Sequence, residues 1–72
     1  MPNSPAHPII FLSQVQRERC ERWLNELLDN EVASEGQIER IRLSVRSGRI
    51  RSMDVWRLER AGENSGVAPF LS

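Results

Sequence analysis

Cys20 and His7 are the two side chains of this chain that could act as a nucleophile and a base, and they stand far apart. A working pair also needs a third group to orient the base. His7 lies in a proline-rich arm, where solvation explains it, and Cys20 falls on the apolar stripe of a helix, where a thiol serves as a small packed hydrophobe. Most carboxylates have an arginine neighbour at helical spacing, and the chain contains no glycine-rich phosphate loop. A single cysteine excludes an intramolecular disulfide and a multi-cysteine zinc site. These residues predict no catalytic centre, no metal site and no cofactor, so an enzyme is not expected.

Other residues carry a different chemistry. Residues 37–60 hold seven arginines (40, 42, 46, 49, 51, 57 and 60) against three acids (39, 54 and 59), a local charge of +4. Residues 1–36 hold three arginines against six acids, and with Glu63 the net charge of the whole chain is zero. Every basic residue is Arg. A GC-rich genome accounts for that, and so would a need for desolvated, two-pronged contacts, which guanidinium makes better than ammonium. Met53 and Trp56 lie beside Arg57 and Arg60. Trp, Met and Arg together have the composition of a protein-binding hot spot.

Three helices are expected to position these groups. Ser13 with Gln16, and Ser34 with Gln37, form S-x-x-Q capping boxes. After the first cap, Val15, Cys20, Trp23, Leu24, Leu27 and Leu28 recur at helical spacing, and Asn30 is expected to close the helix in the left-handed conformation. Arg17–Glu21, Glu18–Arg22 and Arg22–Glu26 are spaced as i, i+4 ion pairs. After the second cap, Ile38, Ile41 and Val45 share a face. Leu43 then falls about 160° from the middle of that face at 100° per residue. Gly48 suits a helix end at positive φ, and the run Gly48–Arg51 reads as a short turn. Ser52 is the third candidate cap, with Asp54 in the first turn, Val55 and Leu58 facing one way and Gly62 ending the helix.

The expected fold class is all-α: a small three-helix domain, one helix plus a helical hairpin, with extended apolar arms at both ends. Residues 1–8 are expected to be disordered or extended, and 9–62 to form the domain, with helices over about 13–29, 34–47 and 52–61. Residues 63–72 form a tail containing Val67, Phe70 and Leu71 that is expected to fray. Ile9–Leu12 is an apolar cluster expected to pack on the helices or to dock elsewhere. No apolar run reaches the roughly 18–20 residues of a membrane span. With neither a basic leader nor a long apolar leader, a cytoplasmic location is expected.

The run Ile41–Val45–Gly48–Ile50–Met53–Asp54 is similar to the C-terminal region of flagellar anti-sigma factors, where a helix ends in Gly, an aromatic and then Val-Asp. Here Ile50 replaces the aromatic and one extra residue precedes Asp54. No binding residue is carried over from that likeness.

A 72-residue chain with two apolar ends owns more apolar surface than three short helices hide. The expected function is a non-enzymatic protein-binding regulator, an inhibitor or adaptor, with a larger protein as partner and a homodimer as a further option. The contact residues expected are Leu43, Arg46, Arg49, Met53, Trp56 and Arg60. The alternative is a helix-turn-helix-like DNA-binding regulator. It fits less well, because Ser52 begins late after Gly48 and the second helix carries Asp54 and Glu59.

Overall fold

The computed structural model describes residues 8–71. The arm expected over residues 1–8 lies outside them except for Pro8, as does His7. In chain order the elements are β1 (Ile9–Phe11), α1 (Gln14–Asp29), α2 (Glu35–Arg46), β2 (Arg49–Arg51) and α3 (Ser52–Glu63). The domain is mostly helical and has the three expected helices; the all-α expectation is corrected only by a small two-stranded sheet.

Both capping boxes form. Gln16 N donates to Ser13 Oγ at 3.2 Å and Ser13 N to Gln16 Oε1 at 2.8 Å. Ser34 and Gln37 repeat the exchange at 3.2 Å in each direction. These bonds satisfy amides that the first turn of a helix leaves without partners. Helix ends are set differently from expectation in three places. Asn30 stays at φ −91° with its side-chain amide donating to Glu26 O, and the left-handed residue is Glu31, at φ 56°. The N-cap of α3 is Arg51, without a side-chain bond, and Ser52 is the first helical residue. Gly62 does not end α3 but lies buried within it, where a Cβ would meet Leu27 Cδ2 at 3.0 Å and Val67 Cβ at 3.3 Å.

Gly48 does adopt positive φ, +88°, and it turns the chain out of α2. The residues after it form a strand and not the expected turn. Arg49, Ile50 and Arg51 alternate exposed, buried, exposed, the period of a half-buried strand. They pair antiparallel with β1 in the register Ile9↔Arg51, Ile10↔Ile50 and Phe11↔Arg49. Ile50 is fully buried, and Ile10 packs against the core beside it. A two-stranded ribbon is marginal alone, and this inward isoleucine pair anchors it to the helices.

The core joins Leu12, Cys20, Trp23, Leu24, Leu27, Ile38, Val45, Ile50, Val55, Leu58, Val67 and Phe70. The C-terminal tail therefore packs where fraying was expected: Phe70 stacks on Trp23 with ring centroids 5.4 Å apart. Val15, expected on the core stripe, is exposed. Among the described residues the expected i, i+4 pairs of α1 do not form. Glu21 instead crosses to α2, accepting from Arg42 at 2.7 Å and lying 3.6 Å from Arg46. Arg42 also donates to Asn25 at 2.9 Å, so one guanidinium fork ties the two helices together.

Candidate functional site

The short strand β2 leads directly into α3, so the position of α3 is fixed by the ribbon at one end and by the tail at the other. Val55 and Leu58 turn one side of α3 into the core. That rotation leaves Trp56 outward and 53% exposed, and Met53 half-buried one turn earlier. Arg60 follows Trp56 at i+4, the spacing that stacks side chains along a helix. Its guanidinium carbon lies 4.9 Å from the Trp56 ring centroid, a cation–π contact that holds both groups in place.

Trp56 and Met53 line a groove of ≈ 520 Å³ together with Pro8, Ser52, Val55, Glu59 and Leu71. The groove is closed by the two ends of the described chain. Pro8 O accepts from Ser52 N at 3.0 Å, and Leu71 N donates to Glu59 Oε2 at 2.7 Å. The Glu59 carboxylate, which the sequence places among seven arginines, is thereby engaged by the tail backbone.

The electrostatics of this side follow from where the ion pairs are. Among the described residues the ion pairs join Arg42 to Glu21 and Glu39, and Arg46 to Glu21. Arg49, Arg51, Arg57 and Arg60 take part in none. Those four side chains of β2 and α3 thus differ from Arg42 and Arg46 of α2, which are tied to Glu21 of α1.

Of the six residues expected to make contact, Met53, Trp56 and Arg60 come together around the groove. Arg49 lies exposed on β2, opposite Phe11. Leu43 is 61% exposed on α2, and Arg46 faces Glu21 of α1, so neither lines the groove. Sequence reasoning missed Pro8, and it singled out Ile9, Phe11 and Leu71 only as parts of apolar ends and not as contact residues. Phe11 is the most exposed large apolar residue, at 74%, and alternation in Ile9–Phe11 is the signal that could have found it. Strand β2 also occupies the place of the turn that a helix-turn-helix requires.

Cys20 offers no reactive thiol. Burial, and secondarily the neighbouring Glu21 charge, push its pKa from 9.0 up to about 12. A neutral, fully buried thiol is neither a nucleophile nor a metal ligand at physiological pH. Among the described residues no helix is long and apolar enough to cross a membrane. The arrangement is therefore a small, mostly helical domain presenting an apolar groove with the Trp56–Arg60 stack on its lip. Comparison with family models, with curated proteins and with solved structures finds no match for the chain.

Proposed function

We propose that this protein is a small non-enzymatic binding module that inhibits or tethers a larger protein by covering part of its surface. The observation that carries this reading is Trp56: half exposed, held by Arg60, on the lip of an apolar groove. A tryptophan fixed in place loses little freedom on binding, and Trp and Arg are the residue types most enriched where interfaces are strongest. Met53 and Leu71 add adaptable apolar surface around it.

Affinity capture from a native extract, comparing the unaltered protein with Trp56→Ala and Val15→Ala, tests the reading. Val15 is an exposed apolar residue of α1, away from the groove. The expected result is a partner that survives Val15→Ala and is lost with Trp56→Ala, with purified components showing a loss of about 2 kcal/mol or more. A partner retained equally by both variants would overturn it. DNA binding is the second reading, favoured by the four arginines of β2 and α3 that have no ion pair among the described residues. It requires mixed-sequence or specific duplex to be retained at physiological salt.

A further inference from the structure

We infer that the outer edge of β1 accepts an extended acidic segment of the partner as a third strand, which carries a bulky apolar side chain into the Trp56 groove. This deepens the proposed function and rests on its reading of the groove.

The direction of the backbone groups settles which edge is open. Leu12 N donates to Gly48 O at 2.8 Å and Ser52 N to Pro8 O at 3.0 Å, around the Ile10↔Ile50 pair. Residues 8, 10 and 12 therefore aim their backbone groups at β2. In an antiparallel pair the residues between them aim the other way. Ile9 and Phe11 each turn an N–H and a C=O outward, and among the described residues none of these four groups has a hydrogen-bond partner. The other edge of the ribbon is occupied, because Arg49 O accepts from Ser44 Oγ at 2.7 Å.

Edge strands are ordinarily protected from added strands by a charge, a proline or a bulge. Ile9–Phe11 has no charged residue and no proline, and its pairing is one-to-one. Its outward side chains, Ile9 and Phe11, are both exposed and apolar. Main-chain bonds would supply the attachment and side-chain pockets the selectivity, as in other strand-addition complexes.

The chemistry of the occupant comes from the same face. Arg51 stands opposite Ile9 and Arg49 opposite Phe11, both exposed and without an ion pair. A third strand would lie about 9.6 Å from β2, two spacings of about 4.8 Å, a gap that Arg and Glu side chains together span. Acidic side chains at alternate positions would meet both guanidiniums. A second copy of this chain lacks that match, since its β1 brings no acid and its β2 brings further arginines. Pro8, which precedes the edge, also lines the groove, so a strand on the edge continues into the pocket between Met53, Trp56 and Leu71.

The test uses the ¹⁵N-labelled full chain and a capped peptide that alternates glutamate with valine and has one terminal tryptophan. The expected result is protection of the Ile9 and Phe11 amides by about tenfold or more, with the Leu12 amide unchanged. Replacing every glutamate by lysine should weaken binding by about tenfold or more. Phe11→Pro, which deletes an outward N–H that β2 does not use, should abolish binding, while Phe11→Ala should keep it within a few-fold. A peptide N-methylated at alternate amides should fail in the same way with the protein untouched. Loss of binding in Trp56→Ala together with full binding to Phe11→Pro and to the methylated peptide would retain the binding face and sink strand addition. Failure of the glutamate peptide to bind, or equal binding of the lysine peptide, would overturn the inference. So would sedimentation showing a dimer that Phe11→Pro converts to monomer, since the occupant would then be a second copy.

Discussion

Phe70→Ala is the sharpest test of how this short chain closes its core. Phe70 is 7% exposed and stacked 5.4 Å from Trp23, with the Arg19 guanidinium carbon 5.9 Å from its ring centroid. Truncating a buried phenylalanine costs about 3–5 kcal/mol, of which an aromatic pair supplies about 0.5–1.5. Two features favour the lower end. The site is near the end of the described chain and can relax, and Trp23 Nε1 is buried with no hydrogen-bond partner, so admitting water would return some of its lost solvation. A loss of about 3 kcal/mol is large against the roughly 4–11 kcal/mol expected for a domain of this length. It corresponds to a fall in Tm of roughly 12–24 °C. Circular dichroism melts would measure it, with Leu71→Ala as a control one residue away and half exposed. A fall of less than about 4 °C would mean that the tail contributes less than about 1 kcal/mol and that the core closes without it.

Further outcomes follow from the buried thiol and the buried glycine. The folded Cys20 pKa of about 12 lies above the ordinary 9.0, so the unfolded chain gives up this proton first. The thiol's contribution to stability is whole below about pH 9 and falls away as pH rises toward 12, at up to about 1.4 kcal/mol per pH unit. Urea titrations between pH 8 and 11 should show that slope in the unaltered protein and lose it in Cys20→Ala; no lysine or tyrosine titrates in the same window. Gly62→Ala should destabilise by about 1 kcal/mol net. Overpacking of about 1–3 kcal/mol against buried Leu27 and Val67 outweighs the gain of about 1 from replacing a helical glycine. A more stable Gly62→Ala protein in the same urea assay would show that the Leu27 tip yields freely.

The three helices were legible because their signals are local. A serine three residues before a glutamine, and apolar residues on one face, specify a helix without knowledge of the rest of the chain. The ribbon was not legible for the opposite reason. Ile9–Phe11 and Arg49–Arg51 are three residues each, too short for alternation to stand out, and each makes sense only beside the other. The tail was misjudged on the same ground: proline and glycine around Val67–Phe70 exclude a helix but say nothing of the stacking partner at Trp23. Leu43 was placed outside by angular position alone and is exposed; Trp56, whose spacing suited a core position as well as a contact surface, is exposed too. Arg46 shows the limit of that geometry, since pointing away from its own helix's core face brought it against Glu21 of a neighbour.

The groove beside Trp56 draws its walls from Pro8 and from Leu71, sixty-three positions apart, as well as from α3 between them. A chain emerging during synthesis can form α1 and α2 early, but it cannot possess this groove until Leu71 has been added. Clipping after Gly66 would likewise strip the pocket wall at Leu71 while leaving all three helices covalently whole. The groove is thus a product of distant segments, present only while both of its outer walls remain joined to α3.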